Sequence, residues 1–274
     1  MKKVIFAAAT LLMLAVVFPS CKKEDNSLSD TDKVTAEDLL AHNDITEQLD
    51  ADVSEALDNA TGEADERTDC PAVSFAQPQG TWPNTITLDY SDGGCTNNGR
   101  TFKGKVIITQ SNPIYVQGAT RSFAFDQFFI ENAQISGTKT VTNTGLNSSG
   151  QPVFTVSVNE TVAYPNGTTA TYQSERIRTM TEGYGTSTFA DNVWTISGTA
   201  SGVNRNGKAY TSAITTPLVK KALCPWISAG VIELEIEGLT RQLDFGDGTC
   251  DRDAILTLAN GTEKEIQIRH FWWR

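Results

Sequence analysis

The sequence predicts a mostly β protein. The expected body is a long antiparallel up-and-down meander of about 10–12 strands, an open curved sheet or partly open barrel, behind a short N-terminal helical segment. Period-two alternation of apolar and polar residues takes over after about residue 67. Asn-Gly pairs stand at Asn98–Gly99, Asn166–Gly167, Asn206–Gly207 and Asn260–Gly261, each a hairpin signal because this pair accepts positive φ. Helical and strand patterns do not alternate, which argues against a parallel sheet.

Residues 1–20 read as an export signal. Lys2 and Lys3 precede an apolar run of fifteen residues, Val4 to Phe18. That is short of the roughly 20 a spanning helix needs. The run ends at "FPSC", a small residue directly before Cys21, and resembles a bacterial lipobox, although Phe18 and Pro19 depart from its usual spacing. Cys21 is therefore the expected lipidation site. The polar, acidic stretch 21–33 follows as a flexible tether, and its Lys-Lys-Glu-Asp start resembles a short surface-export signal. A diacylglycerol plus a further acyl chain would hold the protein on a membrane without spanning it. Removal of residues 1–20 takes away two lysines and moves the net charge from −11 to −13. A chain this acidic is not expected to bind nucleic acid.

Residues 34–66 form the helical segment. Leu39, Leu40, Ile45, Leu49, Val53 and Leu57 recur at helical spacing, as one helix or two broken near Asn43–Asp44. Thr35 with Asp38 resembles a capping box, and Gly62 suits a stop. The acidic face reads as solvated.

Residues 67–274 form a single β domain. Strand patterns lie at 85–90, 105–110, 121–130, 154–164, 194–200, 231–238 and 254–261. In the fourth, Phe154, Val156, Val158 and Val162 share one face and Thr155, Ser157, Asn159 and Thr161 the other. Two threonine-rich stretches, 137–145 and 168–183, carry polar residues on both faces, so the middle of the sheet is expected to be wet on both sides. Trp82, Trp194 and Trp226 read as core, and the terminal Phe271, Trp272 and Trp273 as a cap on a sheet end.

An internal repeat is the most specific signal. "CP…LDYSDGGC" over 70–95 and "CP…LDFGDGTC" over 224–250 place Asp89, Asp92, Gly93 and Cys95 at a constant offset from Asp244, Asp247, Gly248 and Cys250. An even number of cysteines beyond Cys21 in an exported chain reads as two disulfides. The repeat pairs Cys70 with Cys95 and Cys224 with Cys250.

The chemistry is sparse. Asp244, Asp247, Asp251 and Asp253 are the calcium candidates, since calcium takes six to eight oxygens. The favoured reading is a tight turn with Asp side chains on backbone N–H groups, because the first copy replaces Asp251 and Asp253 with Thr96 and Asn98. "ELEIE" at 233–237 places three carboxylates on one face, opposite Val231, Ile232, Leu234 and Ile236, and reads as an acidic outward face rather than a glycosidase pair. His42 and His270 are the only histidines, so no triad or multi-histidine centre is expected, and no cofactor motif is present.

The blocks "LDYSDGGCTNNGRTFKGKVIITQS", "ISGTKTVTNTGLNSSGQPVFTV", "SGTASGVNRNGKAYTSAITTPLVKKALCPW" and "LDFGDGTCDRDAILTLANGTEKEI" resemble a widespread uncharacterised lipoprotein family of the Bacteroidota. The resemblance implies an envelope location and the same all-β body, and it implies no activity; with the lipobox and the Lys-Lys-Glu-Asp start, the expected place is the outer membrane, lipid-anchored and exposed at the cell surface. Three classes of function follow: a non-enzymatic envelope protein that binds a glycan or protein partner through its polar sheet, a carrier of an apolar ligand in an open barrel, or a hydrolase using carboxylates alone.

Overall fold

The computed structural model describes residues 28–59, 71–91, 93–97, 100–186 and 188–268. One helix, α1 (Asp30–Asn59), precedes a single antiparallel sheet of fourteen strands that does not close. The first strands are β1 (Ala72–Phe75), β2 (Asn84–Asp89), β3 (Cys95–Asn97) and β4 (Arg100–Gln110). The long middle strands are β5 (Thr120–Ile130), β6 (Ala133–Leu146), β7 (Pro152–Ala163), β8 (Thr169–Glu182) and β9 (Val193–Val203). The run ends with β10 (Ala209–Lys221), β11 (Ile227–Ile236), β12 (Leu239–Asp247), β13 (Asp253–Thr257) and β14 (Glu263–Gln267). Neighbours in sequence are neighbours in the sheet except that β2 pairs directly with β4, on which β3 also lies. The meander is as expected. The extra strands come from short pieces such as β1, β3 and β14, which are only 4, 3 and 5 residues long and too brief for a period-two signal.

α1 is one continuous helix, because no glycine or proline interrupts residues 30–59. It starts earlier than the expected 34. Ser29 is the cap: its Oγ accepts from the Asp32 backbone N–H at 3.0 Å and donates to the Asp32 carboxylate at 2.7 Å. Thr35 and Asp38 are therefore not the capping box. The Thr35 hydroxyl donates back to the Thr31 carbonyl, and Asp38 reaches the sheet. Gly62, the expected stop, lies outside the described residues.

The sheet curls round α1, and this overturns two expectations. The acidic face of the helix is not solvated: Asp38 and His42 are fully buried, and Glu47, Asp50 and Asp52 are buried too. The middle of the sheet is not wet on both faces either, since Lys139, Ser174 and Arg176 point inward and are buried. Polar residues face inward there because the element they meet is itself polar. Leu39, Leu40, Ile45, Leu49 and Val53 complete the core with Phe102, Phe128, Val158 and Leu234. Each such fully buried side chain contributes about 1.5–3 kcal/mol. On β7, Phe154, Val156, Val158 and Val162 do share the inner face, and Glu160 joins them. Trp194 is core, Trp226 packs partly against it, and Trp82 is only half-buried, contrary to expectation.

Glycine permits the tight curl. Gly137 of β6, at φ +116°, stands opposite Glu160, and a Cβ there would lie 2.1 Å from the Asn159 carbonyl oxygen. Gly198 of β9, at φ +131°, stands in the same way opposite Arg176. Both glycines sit beside large inward side chains, where another residue would force the strands apart.

The Asn-Gly hairpins differ from the two-residue turns expected. In Tyr164–Thr168, Asn204–Lys208 and Leu258–Thr262 only the glycine has positive φ, and its N–H returns to the first residue's carbonyl at 2.8–2.9 Å. This is a type I turn closed by a left-handed glycine. The Asn166 and Asn260 side chains accept from the backbone two residues on, at 3.0 Å. Asn98 and Gly99 lie outside the described residues. Two-residue turns occur instead at Glu237–Gly238 between β11 and β12, both at positive φ, and at Glu131–Asn132 between β5 and β6.

Candidate binding surfaces

The repeat is realised as two matching corners near the two ends of the sheet. Asp89 and Asp244 each accept from the backbone N–H two residues on, at 2.9 and 2.8 Å, and those residues, Ser91 and Gly246, both have positive φ. Tyr90 and Phe245, next to those acids, are both buried as inward anchors. Cys224 and Cys250 are disulfide-bonded with Cα atoms 5.7 Å apart, as the repeat predicts. Cys95 is disulfide-bonded as well. Its expected partner Cys70, the lipidation site Cys21 and the terminal His270, Phe271, Trp272 and Trp273 lie outside the described residues.

The four calcium candidates are used locally. Asp244 caps Gly246, Asp247 accepts from the Thr249 N–H and hydroxyl at 3.1 and 2.8 Å, Asp251 caps Asp253, and Asp253 accepts from Gln267. The hydrogen bonds from Thr249 hold the Asp247 carboxyl below the usual carboxylate range. Among the described residues no group of three or more His, Cys, Asp or Glu is placed to hold a metal ion.

Three regions carry polar side chains in number. The first is the lumen. α1 has ten acidic residues and one lysine, and the inner face of the sheet supplies the counter-charges. Arg100 pairs with Asp44 at 2.8 Å, Lys139 with Asp50 at 2.8 Å, Arg178 with Asp50 at 2.5 Å and Arg241 with Asp32 at 2.6 Å. Arg205 pairs with Asp38 at 2.9 Å and also with Glu37. Burial opposes the charge on Asp50, but Lys139 and Arg178 outweigh it and hold its carboxyl below the usual range. Burial likewise lowers Lys139, only partly countered by Asp50. His42 stacks on Tyr172 at 4.8 Å and meets Glu160 at 2.5 Å. Burial raises the Tyr172 hydroxyl above its ordinary value. These pairs tie the helix to the sheet, while His42 Nε2 and Arg100 Nε stay buried with no hydrogen-bond partner.

The second region is the outer face of β7–β11. Strand register aligns two ladders there. Ser157, Glu175, Thr199, Ala213 and Glu233 form one, and Asn159, Gln173, Ser201, Thr211 and Glu235 form the other. With strands about 4.8 Å apart, each ladder runs for roughly 19 Å. They line an open groove of about 650 Å3 that contains no aromatic side chain and no cation. Glu233 and Glu235 face outward as expected, but Val231 shares their side of the strand rather than the opposite one.

The third region is the mouth of the curl beside the C-terminal half of α1. An inner pocket of about 70 Å3 and an outer cleft of about 400 Å3 share Ser54, Ile114, Tyr115 and Arg121. Arg178 lies over the Trp194 ring at 4.3 Å, and Tyr115 and Tyr184 face each other at 6.0 Å. No sequence motif marked Arg121, Arg178 or Asn192. The signal present was parity: Ala170, Tyr172, Ser174 and Arg176 alternate inward along β8, so its arginine belongs to a buried face.

No helix among the described residues is long and apolar enough to cross a membrane. No family model, curated protein or solved structure matches the chain.

Proposed function

We propose that the chain is a lipid-anchored envelope protein, held through Cys21 at the outer membrane and exposed at the cell surface. In this reading it binds a glycan or protein partner without catalysis on the outer face of β7–β11. The observation that carries the reading is the paired ladder of hydroxyl, amide and carboxylate groups along an open groove. Such a face offers acceptors and donors in register but no apolar anchor. It suits a neutral, hydroxyl-rich glycan chain better than a hydrophobic partner.

The carrier alternative needs a dry cavity inside the sheet, and α1 occupies that space. The hydrolase alternative needs two carboxylates roughly 5–9.5 Å apart in a water-excluding site. Glu175 and Glu233 are separated by β9 and β10, three strand spacings or about 14 Å. Glu233 and Glu235 are neighbours on an open face.

A neutral-glycan array probed with the full chain tests this reading. Retention is expected, with a loss of about tenfold or more in the Asn159→Ala/Gln173→Ala double variant. Failure of every neutral glycan, or retention indifferent to that double variant, overturns it. Membrane fractionation of Cys21→Ser tests the anchor: the substituted chain is expected in the soluble fraction, and unchanged membrane association refutes lipidation there.

A further inference from the structure

The mouth of the curl contains buried polar atoms that the fold leaves unused. Arg121, at the start of β5, is 5% exposed and lines both the inner pocket and the outer cleft. Its Nε donates to Gln110 at 2.8 Å, and its guanidinium has no ion-pair partner among the described residues. Burial costs this cation part of its preference for charge, with Asp50 only partly offsetting it. Arg178 beside it spends its terminal nitrogens on Asp50 and Glu47, while its buried Nε has no partner. Lys220 and Lys221 add two further cations to the wall. They bond to the Cys224 and Gly248 carbonyls rather than to acids. Glu47 and Asp50 are the facing carboxylates: Asp50 is held by Lys139 and Arg178, whereas Glu47 meets Arg178 only at 3.4 Å and its Oε2 has no hydrogen-bond partner.

A buried acceptor complements these donors. Asn192 is 6% exposed, lines the outer cleft, and its side-chain oxygen has no hydrogen-bond partner. The φ of Gly183 is +86°, and a Cβ there would lie 2.2 Å from that oxygen, so a side chain at this position would collide with it. The rest of the cleft is built from the Tyr115 and Tyr184 rings, 46% and 47% exposed, with the hydroxyls of Ser54, Thr186 and Thr188 around them. A ligand that uses the whole site must bring an anionic group for the guanidinium, a hydroxyl donor for Asn192, and a ring for the tyrosine faces.

We propose that this mouth is a second binding site, distinct from the outer ladders, for a small acidic saccharide of the uronate type. The carboxylate meets Arg121, a ring hydroxyl donates to Asn192, and the sugar face lies against Tyr115 and Tyr184. The positive lining stands out in a chain of net charge −11, where a general attraction for anions is absent.

Titration calorimetry of the full chain with glucuronate, glucose and inorganic sulfate tests the assignment. Glucuronate is expected to bind. Glucose, lacking the anion, and sulfate, lacking the ring and its donors, are each expected to bind at least about tenfold more weakly. Arg121→Gln keeps a partner for Gln110 and is expected to weaken glucuronate about tenfold to a hundredfold. Tyr184→Ala changes an exposed ring, leaves the core intact, and is expected to weaken it about threefold to tenfold. This second variant carries the test if Arg121→Gln does not fold. Absence of glucuronate binding overturns the proposal. So does sulfate binding as tightly as glucuronate, which would mark a bare anion site, or glucuronate affinity unchanged in both variants.

Discussion

Replacing Asp50 with alanine tests whether buried charge pairs hold the helix inside the sheet. Asp50 bridges Lys139 at 2.8 Å and Arg178 at 2.5 Å, and the three side chains are 11%, 2% and 13% exposed. Its removal leaves Lys139 with the Thr46 carbonyl and the Phe123 ring, and Arg178 with the Trp194 ring and the longer contact to Glu47. Losing one partner of a buried pair costs about 3–5 kcal/mol, because the remaining charge stays desolvated. A domain of marginal stability holds about 5–15 kcal/mol in total, so the loss is a large share of it. With a urea slope of about 2–3 kcal/mol per molar, the far-UV circular dichroism midpoint should fall by roughly 1–2.5 M. The Asp50→Ala/Lys139→Met double variant should recover about 1–3 kcal/mol of that loss, the coupling expected of residues in direct contact. A loss below about 1 kcal/mol, the size of an exposed pair, would falsify the view that these contacts are dry and structural.

Three further outcomes follow from particular contacts. The folded Asp50 carboxyl titrates below its ordinary value of 3.8, so its contribution is complete above that value and is lost as pH falls through the lower folded one. Thermal melts of the wild type should therefore steepen in that acid window, whereas Asp50→Asn should give a flatter profile. Replacing Cys224 and Cys250 with serine opens a bridge of sequence separation 26 and should cost about 3–4 kcal/mol in the chain-entropy account, read from urea midpoints under non-reducing conditions. Millimolar calcium or EDTA should leave the melting temperature unchanged, since Asp244, Asp247, Asp251 and Asp253 are committed to turns; a rise with calcium would restore them as ligands.

What the sequence disclosed was local. The alternation of Phe154, Val156 and Val158 gave the inner face of β7, and the repeat gave the Cys224–Cys250 bridge and both corners. The destination of α1 was hidden. Its acids find partners 128, 167 and 209 residues away in Arg178, Arg205 and Arg241, and no periodicity records such pairings. An acidic helix with no visible counter-charge looks solvated. Likewise, Lys139 and Arg176 within threonine-rich strands look wet until the helix supplies the other wall. The mouth was hidden for a related reason: Tyr184 and Asn192 lie in the β8–β9 connection, and Arg121 of β5 reaches them only because the sheet curls.

The threading of α1 also has a mechanical meaning. If the chain is held at a membrane through Cys21, as proposed above, a pull on its body enters through the start of the helix. That pull is shared at once by ion pairs to β4, β6, β8 and β12 and to the Asn204–Lys208 turn, which are loaded in shear rather than peeled in sequence. Edge strands that would unzip first under a direct tug are not on this load path. Under that proposal, an acidic peg in a basic sleeve places the most heavily ion-paired element nearest the anchor.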